Sequence, residues 1–189
     1  MALLILALAT LAILQPDGAD SVPVQDSPAL GKPAPQLDLV QLSEDLPGKR
    51  IRSVELGKVT LLHCWGTWCG PCRMEYPELS AMTRELEIDR RFVFVSVSCE
   101  MGPGETFEDL LTKTRDYFHS EGIVGEAFAD PTGVTRRSLV ERMERGSLYY
   151  PTSMLIDGEG KIAGVWEGYA PQSVGEIKTR ASQLMARCD

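Results

Sequence analysis

Short apolar runs alternate with amphipathic stretches along most of the chain. Two runs, Val59–Trp65 and residues 91–98, are apolar almost throughout, which is typical of strands covered on both faces of a sheet. Shorter runs predict five further strands, at residues 36–42, 51–56, 124–129, Thr152–Ile156 and 162–166. The first two of these are expected to pair as an N-terminal hairpin. Asp157-Gly158 is a hairpin turn signal between the last two.

Four amphipathic stretches predict helices, at residues 71–87, 105–120 and 134–144 and in a last segment that ends near residue 185. Pro77 lies inside the first and is expected to kink it without dividing it. Ser173 and Glu176 have the spacing of a capping box for the last helix. The expected inward positions are Leu79, Met82 and Leu86 in the first helix, Phe107, Leu110, Leu111, Thr114 and Phe118 in the second, Leu139, Val140 and Met143 in the third, and Val174, Ile177, Ala181, Leu184 and Met185 in the last.

The order of these elements indicates the fold class. A strand, a helix and a strand in succession imply parallel neighbours joined by a right-handed crossover, whereas the closing hairpin is antiparallel. The prediction is therefore an α/β fold with a central mixed β-sheet and helices on both faces.

Composition limits the classes of function. A chain of 189 residues suits one domain of ordinary size plus a tail. The net charge of −8 argues against nucleic acid as a partner, because such binding requires a basic face. Five cysteines are too few for a disulfide scaffold in a chain of this length.

The N-terminal part of the chain differs in character from the rest. Residues 1–14 are apolar or small throughout, which matches the core of a signal peptide but falls short of the about 17–20 residues that span a bilayer. The basic residues that usually precede such a core are missing, and a buried helix is the alternative interpretation. The proline-rich stretch that follows, residues 15–35, is typical of a linker. A linker at this place favours the interpretation of residues 1–14 as an export signal or short anchor. We expect a division into residues 1–27 and a folded domain at residues 28–189, located outside the cytoplasm.

Cys69 and Cys72 lie where an apolar strand leads into a helix. The unpaired N–H groups and the macrodipole of a helix N-terminus stabilise a thiolate, and Cys72 lies one turn further on, within reach for a disulfide. Pro71 suits the first turn because its missing N–H costs nothing there. A permanent structural disulfide and half of a zinc site are the alternatives. The zinc site is disfavoured because no second Cys-x-x-Cys or histidine cluster supplies the remaining ligands.

These residues resemble a known family. Trp68-Cys69-Gly70-Pro71-Cys72 after an apolar strand is similar to the active-site motif of thioredoxins. The wider string resembles the TlpA/ResA branch found in bacterial cell envelopes, and runs Cys64-Trp65-Gly66-Thr67-Trp68-Cys69-Gly70-Pro71-Cys72-Arg73-Met74-Glu75-Tyr76-Pro77. The resemblance, which begins near Gly31, implies a thioredoxin fold with an N-terminal β-hairpin and a central αβ insertion.

The resemblance also implies roles for single residues. Cys69 is expected to be the exposed attacking thiolate and Cys72 the more buried resolving thiol. Glu75 matches an acidic residue that ResA-like proteins place beside the active site, where it exchanges a proton with Cys72. The alternative is a first-turn glutamate favoured by the helix dipole. His63 takes the place of a buried aspartate that relays protons in thioredoxins. It is a candidate base or simply a core residue.

A second loop is expected to face the cysteines. Pro151 matches the family's cis-proline, and the backbone of Tyr150 is expected to pair with an extended substrate. Trp68, Gly70 and Pro71 complete the expected substrate-binding set. Aromatic side chains near the motif are expected either to form a rim or to pack in the core: Trp65, Trp68, Tyr149 and Tyr150.

Together these features predict a thiol–disulfide oxidoreductase that reduces disulfides of exported proteins, such as apocytochromes awaiting haem. The expected partners are disulfide-bearing proteins and a membrane-embedded electron donor, with the chain a monomer that needs no cofactor or metal. One alternative is a thiol peroxidase of the peroxiredoxin type, although no Pro-x-x-x-Thr-x-x-Cys string occurs. The other is a metal-binding module built on the cysteine pair. Cys64 and Cys99 are expected to be buried thiols or a second disulfide, and Cys188 is expected to be exposed.

Overall fold

The computed structural model describes residues 26–43 and 48–188. The predicted signal or anchor at residues 1–14 lies outside them, as does most of the linker. Seven strands and four helices occur in the described part: β1 (Leu39–Gln41), β2 (Arg50–Ile51), β3 (Val59–Trp65), α1 (Gly70–Leu86), β4 (Phe92–Ser98), α2 (Phe107–Glu121), β5 (Phe128–Ala129), α3 (Val134–Met143), β6 (Thr152–Ile156), β7 (Ile162–Glu167) and α4 (Ser173–Met185).

The strands form one mixed sheet in the order β2-β1-β5-β4-β3-β6-β7. β3 pairs in parallel with β4 along its whole length and antiparallel with β6, so the strand that leads to Cys69 is central. β1 and β2 form the predicted hairpin, and β5 joins it to the core sheet by pairing with β1 and β4. The predicted fold class is confirmed.

Alternating side chains of β3 face two separate cores. Leu62 and Cys64 pack with α3 on one side of the sheet, among Val97, Leu139 and Met154. The other face carries α1 and α4, whose packing joins Leu61, Leu79, Leu155, Trp166 and Ile177. The period of two along β3 places His63 and Trp65 on the α1 face, towards the active-site motif.

Several element ends differ from the sequence prediction. The strands expected at 36–42, 51–56 and 124–129 shorten to β1, β2 and β5, because only a few of their residues find a partner strand. Val124 is exposed rather than part of a strand. Four predicted inward positions are only partly buried: Leu86, Phe107, Phe118 and Val140. In α2 the fully packed aromatic residue is instead Tyr117.

The predicted capping box at Ser173 and Glu176 is wrong. Ser173 is already the first residue of α4, and Gln172 caps it without a side-chain hydrogen bond. The Glu176 carboxylate instead accepts a hydrogen bond from Trp166 Nε1 at 3.0 Å, because tertiary packing brings that indole to it. A capping box does occur at the start of α2, between Thr106 and Asp109.

Pro77 lies within α1, which continues as a single helix as predicted. Within the described residues, no helix is both long enough and apolar enough to cross a membrane.

Candidate active site

The cysteine motif occupies the junction between β3 and α1. The backbone of Cys69 is extended and caps the helix, and its Sγ accepts a hydrogen bond from the backbone N–H of Cys72 at 3.3 Å. Pro71 lies in the first turn, where no N–H is needed. The first cysteine sulfur therefore lies where the helix N-terminus stabilises negative charge.

Cys69 and Cys72 are joined by a disulfide with an S–S distance of 2.19 Å. Cys72 is fully buried, and Cys69 retains 6% of its surface. Cys69 is thus the more accessible cysteine. It is less exposed than expected, because it packs in an aromatic cluster with Trp65, Tyr76 and Tyr117.

Trp68 lies beside the disulfide and is held on three sides. Its indole Nε1 donates to the backbone carbonyl of Cys99 at 2.9 Å, and its ring meets that of Tyr150 edge-on at 5.2 Å. Its third neighbour is Gly66, where a Cβ would lie 2.4 Å from Nε1, so only glycine leaves room for the indole. Trp68 still exposes 40% of its surface.

The loop before β6 presents a second surface at this end of the sheet. The peptide bond between Tyr150 and Pro151 is cis, as the resemblance implied. The hydroxyl of Thr152 donates to the carbonyl of Tyr149 at 2.6 Å, and Pro151 accepts from the N–H of Gly168 at 2.8 Å. The first bond closes the loop on itself, and the second ties the loop to the residue that follows β7.

The four candidate rim aromatics separate into two groups. Tyr149 and Trp68 are exposed, and Tyr150 is half-buried against Trp68. Trp65 is fully buried, so it is core rather than rim. Its Nε1 donates to Ser96 Oγ at 2.9 Å, and Ser96 is also bonded to the Tyr76 hydroxyl at 2.6 Å.

Glu75 and His63 lie buried under the motif, with 1% and 0% of their surface exposed. Glu75 Oε2 and His63 Nε2 are 3.9 Å apart, and neither atom has a hydrogen-bond partner. Burial, with a smaller contribution from the charge of Glu78, raises the pKa of Glu75 to about 7. Burial lowers the pKa of His63 to about 3. The site therefore holds a carboxyl that exchanges its proton near neutral pH beside an imidazole that stays neutral.

Sequence reasoning missed three polar residues of this region. Ser96 on β4 bonds Trp65 and Tyr76, and Ser153 on β6 bonds His63 Nδ1 at 2.8 Å. Tyr76, whose pKa is raised by burial, lies in ring contact with His63. The available signal was a serine within an otherwise apolar buried strand, which implies a polar partner on the facing element.

The cysteines outside the motif are free thiols. Cys64 and Cys99 are buried, and a hydrogen bond between their side chains together with burial raises the pKa of Cys64. Cys188 is partly exposed rather than fully so, and its thiol donates to the carbonyl of Leu184 at 3.6 Å. Across residues 26–43 and 48–188, no group of three or more His, Cys, Asp or Glu side chains is arranged to hold a metal ion.

Comparison with known proteins agrees with this geometry. The model of the AhpC/TSA family matches residues 30–165. The thiol:disulfide interchange protein DsbE of Xylella fastidiosa is 29% identical over 177 residues, which are 93% of this chain and 79% of that protein. The thiol-disulfide oxidoreductase ResA of Bacillus subtilis is 29% identical over 151 residues, covering 79% of this chain and 74% of that one.

Solved structures share the fold. A thioredoxin-family thiol:disulfide interchange protein from Chlorobium tepidum superposes with a TM-score of 0.62 at 24% identity, covering 81% of this chain and 95% of that one. The predicted resemblance to ResA-like proteins and to the thioredoxin fold is therefore confirmed. The chain belongs to the AhpC/TSA family, and it is a thiol–disulfide oxidoreductase.

Proposed function

We propose that the Cys69–Cys72 pair carries the thiol–disulfide exchange and that the enzyme works as a reductase of protein disulfides. One observation carries the proposal: the two sulfurs are bonded to each other at the N-terminus of a helix, with Cys69 the more accessible. An enzyme that alternates between a dithiol and a disulfide requires this geometry, because the second cysteine must attack the first in each turnover.

The reaction begins with the reduced pair. The Cys69 thiolate, stabilised by the N–H groups of the first helical turn, attacks one sulfur of the substrate disulfide and expels the other as a thiolate. Cys72 then loses its proton and attacks Cys69 Sγ. The substrate leaves as a dithiol after protonation, and the Cys69–Cys72 disulfide is formed, so two electrons pass to the substrate.

Glu75 is the proposed proton acceptor for Cys72. It lies one helical turn after Cys72 on the buried side of α1, and its pKa of about 7 matches acceptance and release of a proton near neutral pH. His63, with a pKa of about 3, is too weak a base for this step, so we do not assign it the role of a base.

The substrate is proposed to lie across the exposed end of the motif. Trp68, Gly70 and Pro71 border Cys69 on one side, and Tyr150 and Pro151 belong to the loop on the other. The exposed rings of Trp68 and Tyr149 offer apolar contact to a polypeptide, whose backbone is proposed to pair with that of Tyr150.

The cellular setting follows from the N-terminal sequence and the motif. Residues 1–14 favour export or short anchoring, so the proposed location is the periplasm or cell envelope. Gly-Pro between the cysteines resembles reducing members of the thioredoxin superfamily, which favours exported proteins such as apocytochromes as substrates. A membrane-embedded donor is then required to reduce the pair again. We propose a monomer that uses no cofactor beyond its own disulfide.

The test is a trapping experiment. In a Cys72→Ser variant the resolving thiol is missing, so we expect mixed disulfides with substrate proteins to accumulate through Cys69. The Cys69→Ser, Cys72→Ser double variant is the control and should trap nothing. Absence of adducts in the single variant would contradict the proposal.

Turnover assays separate the alternatives. Reduction of insulin disulfides by the wild-type protein supports the reductase. Rapid peroxide consumption without a disulfide substrate would favour a peroxidase, and copper or zinc retained in stoichiometric amount, with loss of insulin reduction, would favour a metal-binding module.

A further inference from the structure

His63 Nε2 and Glu75 Oε2 are both buried, both lack a hydrogen-bond partner, and face each other across 3.9 Å. A buried polar atom without a hydrogen-bond partner is destabilising, because it has lost its hydration and gained nothing in return. Two such atoms side by side in one pocket indicate a bond that forms in another protonation state. The distance exceeds an N–H···O hydrogen bond by about 1 Å, so the two atoms are adjacent but not bonded in the structure.

The groups around this pair are neutral or acidic. From α1 come Tyr76, in ring contact with His63, and Glu78, whose charge acts on Glu75. Ser153 comes from β6, the apolar ring of Phe94 from β4, and Tyr117 from α2 through its contact with Tyr76. Within the described residues, no cationic side chain contributes to the pKa of Glu75, which burial and Glu78 raise. His63 is therefore the side chain placed to donate to an ionised Glu75.

The contact with Ser153 fits either tautomer of His63, and an ionised Glu75 selects between them. A neutral imidazole carries one N–H. If the Ser153 hydroxyl donates to Nδ1 across the observed 2.8 Å, the proton of the imidazole resides on Nε2 and points at Glu75 Oε2. The opposite tautomer would aim a lone pair at the oxygen of a carboxylate, which is repulsive.

We propose that His63 is a positioning residue for Glu75: its neutral Nε2–H donates to Oε2 of the ionised carboxyl and leaves the second oxygen free for the proton of Cys72. The inference rests on the proposed function of Glu75. The imidazole neither gains nor loses a proton in the cycle, because Glu75 takes the Cys72 proton on its second oxygen while Oε2 remains the acceptor. Ser153, His63 and Glu75 thus form a chain running from β6 to the active-site helix.

Two variants test the chain in the oxidised protein, where neither active-site cysteine titrates. The amide of His63→Gln reaches to about the position of Nε2 and keeps a donor there, whereas His63→Asn reaches only to about Nδ1. We expect the proton affinity of Glu75, followed by carboxyl ¹³C NMR against pH, to rise about tenfold in His63→Asn, because the bond to the charged form is lost. It should stay within about twofold of the wild type in His63→Gln. Equal values in the two variants would overturn the proposal.

A second measurement needs no variant. Imidazole ¹⁵N NMR of the oxidised wild-type protein at pH 8, where Glu75 is ionised, should find the His63 proton on Nε2. A proton on Nδ1 overturns the proposal even if the variants fail to fold. If the Cys72→Ser variant trapped no substrate, the proposed function would be contradicted, but the NMR result for His63 would not change. Failure of the proposed function can therefore be distinguished from failure of this inference.

Discussion

His63 and Glu75 share one buried pocket, yet burial moves their pKa values in opposite directions. Burial disfavours the charged form of each group, so the imidazole is harder to protonate and the carboxyl harder to ionise. At neutral pH His63 is neutral and Glu75 is close to half-ionised. The pocket therefore exchanges protons through the carboxyl alone.

The stability of the protein should reflect the depressed pKa of His63. The unfolded state binds a proton near pH 6.5, whereas the folded state does so only near pH 3, so the stability conferred by neutral His63 is lost as pH falls between these values. We expect the wild-type protein to lose on the order of a few kcal/mol relative to His63→Asn between pH 6.5 and 4. Urea unfolding of both proteins at several pH values measures this difference, and a constant difference would contradict the assigned pKa.

Gly66 determines where Trp68 lies. A Cβ at this position would come within 2.4 Å of the indole Nε1. We expect Gly66→Ala to displace Trp68 from the carbonyl of Cys99, lower stability by about 1–3 kcal/mol and raise KM for a protein disulfide. Gly70→Ala is the stability control, because its Cβ would meet nothing within 4 Å. Equal unfolding midpoints for the two variants would show that Trp68 is not constrained by Gly66.

Helix ends show how an element depends on its surroundings. Ser173 and Glu176 have capping-box spacing, but Glu176 bonds the indole of Trp166 instead. Thr106 and Asp109 have the same spacing and do form the reciprocal bonds, because both are exposed and no tertiary partner competes. Local pattern alone does not distinguish the two cases.

The cap of α2 can be tested by a single substitution. Thr106→Ala removes the side-chain acceptor of the Asp109 N–H, which is 3.1 Å away, and is expected to cost about 1 kcal/mol of unfolding free energy. Gln172→Ala, at the N-cap of α4 that makes no side-chain hydrogen bond, should be nearly neutral. Guanidinium unfolding compares them, and an equal loss in both would mean that the box contributes nothing beyond helix propensity.

At the scale of the whole molecule, the segment before β1 belongs to the fold. Ala29 is fully buried in the α3 core. Hydrogen bonds join Gly31 N–H to the carbonyl of Ile162, and the N–H of Ile162 to the carbonyl of Lys32, at 2.8 and 2.9 Å. The segment thereby satisfies part of the outer edge of β7, whose other edge pairs with β6 in the described sheet.

Truncation should show this contribution. A chain lacking residues 1–35 loses the buried Ala29 and the bonds to β7, and we expect its unfolding free energy to fall by several kcal/mol, about 1 kcal/mol per lost bond plus the lost apolar burial. A chain lacking residues 1–25 keeps every one of these contacts and is the control. Equal stability of the two chains would mean that the segment is only loosely attached.

Much of the molecule followed from local sequence. The apolar runs of β3 and β4 predicted strands covered on both faces. The spacing of Cys69 and Cys72, just before the apolar face of a helix, predicted a dithiol at the helix N-terminus. Both signals depend only on residues close together in the sequence. The cis bond before Pro151 followed from the family resemblance rather than from any local property.

Contacts between distant residues required the tertiary structure. The meeting of His63 with Glu75 and Ser153, the hydrogen bond from Trp68 to the carbonyl of Cys99, and the choice of Thr106 over Ser173 as a helix cap all join or compare residues on different elements. A sequence pattern specifies which side chains need a buried partner, but only the packing of one element on another decides which partner each receives.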